Sequence, residues 1–345
     1  MPSPLVKGSF AEHQETQYEH RSVTEQLAFL ALSSIRGVGY WTLWHMARAH
    51  WRFADFLALD SGDEASATLK KFGARLENKA VLDWRTVREL ALDRAKKTLS
   101  ELCNEGIRLI MYGEPEYPRQ FRDLSDAPAW IFLRGDPGVL QRCTLSVVGT
   151  RNPSPDGLWL AQFVGANLQA WGAPTVSGLA AGIDQSIHEW SLRMQIPTVA
   201  VLGTGIFSDY PKGAESLQDR IVRGGGAILT EYLLRESYSA ENFVRRNRLQ
   251  AALGRVLVPV EWAARSGTAH TVRYATTLQR PIAALRLPDW PNDRLILNNG
   301  AATVGKIFTI PGDESEFREF VRKALSESKR SEQPHQHDLF ESRSP

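Results

Sequence analysis

One pattern recurs along the second part of the chain: a short apolar run, a turn with Gly, Ser or Glu, and a segment of helical character. The spacing of the runs, roughly 24 to 30 residues, is the length of one strand with its crossover helix. Six such βα units predict an α/β domain with a mostly parallel sheet and helices on both faces. The runs begin near Leu145, Thr175, Thr198, Ala227, Val256 and Ile282.

The turns after these runs carry small and acidic residues at the carboxyl edge of the predicted sheet, where open α/β sheets bind ligands. The first two turns each lead into a helix, so two helix N-termini are expected to face one crevice and to attract anions. Neither GxGxxG nor GxxxxGK[ST] occurs, which excludes ordinary dinucleotide and P-loop sites. The turns contain Gly149, Ser177-Gly178, Gly203-Thr204-Gly205, Glu231 and Ser266-Gly267-Thr268.

Six ordered motifs in this region resemble the DNA-processing protein A (DprA, also called Smf) family: VVGTRNPSPDG, SGLAAGIDQSIH, AVLGTGIFSDYP, ILTEY, NFVRRNR and SGTAHTV. With the upstream stretch YGEPEYPRQFRDLSDAPAWIFLRGDP, the resemblance covers about residues 25–310. It implies a non-enzymatic protein that binds single-stranded DNA in a basic pocket on an extended Rossmann-like fold. The implied processes are DNA recombination, DNA processing or natural transformation. Family members typically dimerise and help to load RecA, so a homodimer and the RecA recombinase are expected.

The resemblance also implies roles for residues of this chain. A supporting position in the pocket is expected for Asp184, His188, Glu231 and Glu261. Asp184 and His188 lie four residues apart on one helix face, so they are expected to hold each other. Contacts to DNA and phosphate are expected at Gly149, Thr150, Arg151, Ser177, Gly178, Lys212, Arg245, Arg246, Asn247, Arg248, Ser266, Gly267 and Thr268.

Within that set, two groups carry the strongest expectations. The strand is expected to be gripped by the cluster Arg245, Arg246, Asn247 and Arg248. The turn 266–268 is expected to bind one phosphate through its backbone N–H groups. The net charge of +2 is ordinary, but residues 240–280 hold seven Arg, no Lys and two Glu, a local net charge of +5. Arg suits bidentate phosphate contact and stacking on bases. The alternative for each Arg is a solvated helix face.

Cysteine usage and the chain start predict a cytoplasmic protein. The only two cysteines, Cys103 and Cys143, lack CxxC spacing, which favours a reducing compartment. No apolar leader and no run of eighteen apolar residues occurs, so no membrane association is expected. The eight His lack metal-ligand spacing. We therefore expect neither a metal nor a cofactor.

The predicted division of the chain is a disordered N-terminus (1–22), a helical domain (23–106), the Rossmann-like domain (107–311) and a short helix with a flexible tail (312–345). The sequence Gly37-Val38-Gly39 joins two helical patterns, as in SAM-like or helix-hairpin-helix domains. The tail segment QHDLF resembles the peptide by which bacterial replication and repair proteins dock on the sliding clamp. A clamp contact through Gln336, Leu339 and Phe340 is one interpretation, and a chance match is the other.

Two other classes of function compete with DNA binding. The first is a nucleotide-binding enzyme of the phosphoribohydrolase-like Rossmann group, in which Asp184, Glu231 or Glu261 would act on a glycosidic bond. The absence of a PGGxGT-like turn and of paired-carboxylate spacing argues against it. The second is a DNA-sensing component of an anti-phage defence system, which a single sequence leaves open.

Overall fold

The structure, a computed structural model, describes residues 24–76, 83–290 and 303–326. The chain divides into two compact units with a boundary between Pro115 and Glu116. The predicted disordered N-terminus and the tail with its QHDLF segment lie outside the described residues. Within the described ranges, no helix is long and apolar enough to cross a membrane.

The first unit is mainly helical, which confirms the predicted N-terminal helical part. Side chains cap its short helices: Ser61 accepts from the N–H of Glu64 at 3.3 Å, and the Glu25 carboxylate accepts from the N–H groups of Phe53 and Ala54 at 2.6 and 3.1 Å. Its elements are α1 (24–33), α2 (Tyr40–Arg48), α3 (Phe53–Leu57), α4 (Gly62–Lys71), α5 (Trp84–Asn104) and β1 (Ile107–Met111).

The second unit is built on a mostly parallel sheet, as predicted. Its strands lie in the order β2-β6-β5-β4-β3-β7-β8-β9, and only the β2–β6 pair among them is antiparallel. The six predicted runs are β3 to β8, whereas β2 and β9 were not anticipated. The strands are β2 (Trp130–Gly135), β3 (Thr144–Gly149), β4 (Thr175–Ser177), β5 (Thr198–Val201), β6 (Ala227–Thr230), β7 (Gly254–Val260), β8 (Ile282–Arg286) and β9 (Gly305–Thr309).

Helices cover both faces of this sheet, which confirms the predicted class. On one face α6, α7 and α8 pack side by side, and the helix Glu314–Ser326 packs against α6; on the other face α9 and α10 pack together. Apolar side chains of both layers close over the buried strands. The helices are α6 (Pro155–Trp171), α7 (Ile183–Arg193), α8 (Glu215–Arg223), α9 (Ala240–Leu253) and α10 (Gly267–Thr277).

The strand order reverses next to β3, and this reversal positions a crevice. β3 pairs with β4 on one side and with β7 on the other. Helix α9 makes the connection, because it runs from β6 to β7 and contacts β5, β4 and β3 on the way. Such a switch point separates the loops at the carboxyl edge and leaves room for a ligand.

Candidate functional site

A cleft of about 590 Å³ opens at this switch point. Its walls are the turn after β3, the first turns of α9 and the N-terminus of α10. Burial divides the lining into an inner part, formed by buried side chains, and a rim of exposed ones. The lining residues are Val148, Gly149, Thr150, Arg151, Ala180, Asp184, Tyr210, Tyr238, Ala240, Phe243, Val244, Arg246, Asn247, Gln250, Ser266, Gly267, Thr268 and Thr271.

The N-terminus of α10 faces the cleft with unused backbone donors. Ser266 caps this helix by accepting from the N–H of Ala269, while the N–H groups of Gly267 and Thr268 have no acceptor in the described chain. Two contacts fix the turn: Asn247 Nδ2 donates to the Gly267 carbonyl, and Thr268 Oγ1 donates to the Gly149 carbonyl, both at 3.0 Å. Because unpaired N–H groups and the helix dipole attract anions, this end can hold one phosphate.

Three aromatic rings line the cleft beside Arg151, and the sequence interpretation missed them as site residues. The rings of Tyr210 and Tyr238 stack at 5.0 Å, and Phe243 lies 5.0 Å from Tyr210. The Arg151 guanidinium lies over Phe243, 4.9 Å from the ring centre, and forms no ion pair within the described part of the chain. Tyr238 is 63% exposed. This surface can stack on a planar ring while Arg151 meets an anion.

Arg246 was expected to grip the strand, but its side chain lies buried in the cleft wall, at 3% exposure. Its Nη1 donates to the Gly178 carbonyl at 2.9 Å and to the Val201 carbonyl, and its Nε has no partner among the described residues. Burial lowers the pKa of Arg246 to about 10. A side chain on Gly178 would collide with the guanidinium, so Arg246 keeps this position only while residue 178 is glycine.

Asp184 is buried next to this cation. Its carboxylate accepts from the N–H of Gly178 at 3.1 Å, and the polar groups of Ser177 and Gly149 lie close enough to favour its charged form. Burial raises the pKa of Asp184 against the lowering effect of Arg246 and of these polar groups. Ser177 and Gly178 therefore lie against Asp184 and Arg246 of the cleft wall, but neither Ser177 nor Gly178 lines the cleft itself.

His188 does not hold Asp184, which corrects the expectation from their spacing. Its Nδ1 lies 2.8 Å from the Thr198 hydroxyl, and its Nε2 has no partner in the described ranges. The side chain is fully buried, and burial lowers its pKa to about 3. His188 is thus a neutral core residue beneath the site.

Arg248 and Arg245 point away from the cleft, so the expectation that both grip the strand is wrong. Arg248 is 1% exposed and forms a two-point ion pair with the buried Glu231, at 2.5 and 2.8 Å, while its Nε lies 2.8 Å from Asp126. Arg245 approaches Asp126 at 3.8 Å and Glu231 at 4.0 Å. These cations anchor α9 to the chain around Asp126.

The N-termini of α6 and α7 are occupied by protein groups, contrary to expectation. At α6 the Glu261 carboxylate accepts from the N–H of Ser154 at 2.8 Å, and Glu261 also accepts from the N–H of Thr150 through its carbonyl at 2.9 Å. At α7 the N–H of Ile183 donates to the Thr150 carbonyl at 3.2 Å. Of the helix ends named in the sequence analysis, the α10 N-terminus therefore offers the donors.

The predicted contact residues thus separate into two groups. Gly149, Thr150, Arg151, Arg246, Asn247 and the turn 266–268 meet in the cleft, together with Asp184. Ser177, Gly178, Lys212, Arg245 and Arg248 do not line it; Lys212 lies exposed in the turn after Pro211. Nowhere in the described ranges do three or more His, Cys, Asp or Glu residues cluster as a metal site would require.

Comparison with known proteins relates this chain to one family. The sequence profile described as DNA recombination-mediator protein A matches residues 108–307, more than half of the chain. Protein Smf of Synechocystis is 29% identical over 295 residues, which cover 81% of this chain and 70% of that protein. The chain spans about half of two other relatives, 46% of Escherichia coli Smf and 54% of a putative DprA of Mycobacterium tuberculosis, each 34% identical.

Two solved structures share the fold. DprA of Streptococcus pneumoniae is 26% identical with a TM-score of 0.56, covering 85% of this chain and 97% of that chain. DNA processing protein A of Helicobacter pylori, described by its single-stranded DNA binding mode, is 23% identical with a TM-score of 0.52. That match covers 64% of this chain and 96% of the Helicobacter chain, and at this identity it concerns the fold alone.

The Arg248–Glu231 pair yields a first prediction. Arg248→Met leaves a carboxylate that is 1% exposed without its main partner, so the free energy of unfolding is expected to fall by about 3–5 kcal/mol. Arg151→Met, at an exposed position without an ion pair, is expected to change it by less than about 0.5 kcal/mol. Urea unfolding followed by circular dichroism measures both. Equal effects would contradict the structural role assigned to Arg248.

His188 yields a pH dependence. In the unfolded chain His188 takes up a proton near pH 6.5, its ordinary pKa. In the folded chain the same group has a pKa of about 3. The unfolded state therefore binds more protons between these values, and acidification from pH 7 to pH 5 removes about 2 kcal/mol of stability through this group. In His188→Gln this part of the pH dependence is lost, while the carboxylate contributions remain. Identical pH profiles of the two proteins would refute the buried neutral state.

Proposed function

The chain belongs to the DNA recombination-mediator protein A family, and from this premise we propose that its cleft binds single-stranded DNA. The observation that carries the proposal is the placement of an anion-binding helix end and a stack of aromatic rings in one cleft. The N–H groups of Gly267 and Thr268 suit a phosphate, and the rings of Tyr210, Tyr238 and Phe243 suit bases. A DNA strand that runs along the cleft would contact both the helix end and the aromatic rings.

Single strands fit this chemistry better than duplex. Aromatic side chains can stack only on bases whose faces are accessible, and in a duplex those faces are covered by neighbouring bases. Arg151 can take part in both stacking and phosphate binding. Its guanidinium already lies on the Phe243 ring, and its charge is available for a phosphate. The Helicobacter relative, described by its single-stranded DNA binding mode, agrees with this assignment.

Binding without catalysis is part of the proposal. Of the three acids of the hydrolase alternative, Glu231 is paired with Arg248 and Glu261 accepts from Ser154, and neither of these two lines the cleft. Asp184 does line it, but this carboxylate is buried and hydrogen-bonded by Gly178. These contacts give the three acids structural roles. They favour a mediator that holds DNA over an enzyme that cleaves a glycosidic bond.

We further propose the setting and the partners. Family membership supports action in DNA recombination, DNA processing or natural transformation in the cytoplasm, with RecA as the recombinase that receives the strand and a second copy of this chain as a dimer partner. The tail segment with Gln336, Leu339 and Phe340 is proposed as a ligand of the sliding clamp on its sequence alone. A DNA-sensing role in defence against phage would use the same cleft.

A binding titration against single- and double-stranded DNA at several salt concentrations tests the proposal. If Arg151 neutralises one phosphate, log K against log salt has a slope that is shallower by about 0.7 in Arg151→Ala than in the unaltered protein. Single strands are expected to bind more tightly than duplex of equal length, with slight base preference.

Arg193→Ala is the matched control for this titration. Arg193 is exposed at the far end of α7 and lies over Trp190, 4.5 Å from its ring centre. Because it does not line the cleft, its removal is expected to leave the salt slope unchanged. Binding that is independent of salt, or duplex preferred over single strand, would overturn the proposal.

A further inference from the structure

The inner wall of the cleft contains a polar side chain without a partner. Gln250 lies on α9, one turn after Arg246 and Asn247, and is 1% exposed. Its amide makes no hydrogen bond with any described residue, and its Nε2 is buried without an acceptor there. A buried amide N–H group without an acceptor is unfavourable unless something else pairs with it. Because Gln250 lines the cleft, a ligand in the cleft can supply that pairing.

The surroundings of Gln250 fit a flat, partly polar ring. Thr271 of α10 and Val148 of β3 are buried and line the same wall. Thr271 follows the α10 N-terminus by about one helical turn, a rise of about 5.4 Å. Gly267 and Gln250 line the same cleft, so a nucleotide whose phosphate is bound at the Gly267 N–H can extend its base toward Gln250.

We propose that Gln250 reads the edge of one nucleobase that enters this inner part of the cleft. The inference rests on the proposed single-stranded DNA binding and adds a base-reading residue to it. A glutamine amide presents a donor and an acceptor side by side, and so do the edges of the DNA bases, as in the paired contact of Gln with adenine. A nucleotide at the rim is then held by stacking on the aromatic rings, and a nucleotide at the inner wall is held by hydrogen bonds between its base and Gln250.

Short single-stranded oligomers of equal charge test this assignment. The full chain and Gln250→Met are titrated with hexamers of dA, dC and dT and with an abasic hexamer that carries the same phosphates. Met keeps the volume of Gln and removes the amide. Gln250→Met is expected to bind the best base-bearing hexamer about five- to ten-fold more weakly, the loss of a hydrogen-bonded amide contact, and the abasic hexamer within two-fold. Gln218→Met on α8, outside the cleft, is the matched control and is expected to change neither.

The outcomes separate this inference from the function on which it rests. If the unaltered protein binds no hexamer, abasic included, the proposed function fails. If it binds and Gln250→Met binds all hexamers equally well, or weakens all by the same factor, the base-reading role is overturned. A thermal midpoint of Gln250→Met below that of the unaltered protein would show a structural amide and also overturn it. If dAMP alone saturates the cleft and only that binding is lost in Gln250→Met, the site belongs to a free nucleotide, and reading of the strand is refuted.

Discussion

The cleft depends on one buried cation. Arg246 donates from α9 to the carbonyls of Gly178, just after β4, and of Val201, at the end of β5. These contacts hold the helix that crosses the switch point against the strand ends beneath it. Since Phe243, Asn247 and Gln250 lie on the same helix, their positions in the cleft follow from the anchoring of Arg246. Asp184 below it supplies the opposite charge that makes a buried guanidinium tolerable.

The arginines of α9 and its surroundings divide the work between structure and binding. Arg248 is paired with Glu231, and Arg280 reaches Asp123 at 2.7 Å, so both join segments distant in sequence. Arg151 is exposed, lies on an aromatic ring and keeps its charge for a ligand. Much of the positive charge that the sequence concentrates at 240–280 is therefore internal. The proposed binding therefore depends on fewer groups, and one of them, the helix N-terminus at Gly267, carries no formal charge.

The repeating βα pattern predicted the class of fold and the edge of the sheet where the cleft lies, because a parallel strand with its crossover has a characteristic length. Strand β2 was not predicted because it precedes the first of the six βα runs and lies outside their regular spacing. Which arginines face a ligand could not be predicted, since a guanidinium suits a buried carboxylate as well as a phosphate. The spacing of Asp184 and His188 placed them on one helix face, but Thr198 lies on a strand and is the actual partner of His188.

Residues missed by the sequence interpretation come from segments that only the fold brings together. Tyr210 and Tyr238 lie in separate loops and meet Phe243 of α9 in one stack. A signal existed in Phe243, two residues before the Arg245–Arg248 cluster, but nothing local connects it with the other rings. Gln250 was missed for a similar reason. Its side chain matters because it is buried without a hydrogen-bond partner among the described residues, and a sequence does not show this.

Photo-crosslinking of a single-stranded oligonucleotide carrying 5-iododeoxyuridine, with the modified residues mapped by mass spectrometry, tests the central claim most directly. The account predicts crosslinks to Tyr210, Tyr238 or Phe243, because these rings stack on the bases. Trp159 is an internal comparison, since it is 45% exposed on α6 at the other face of the sheet. Crosslinks concentrated at Trp159, or absent from all three cleft aromatics in a complex that binds DNA, would contradict the account.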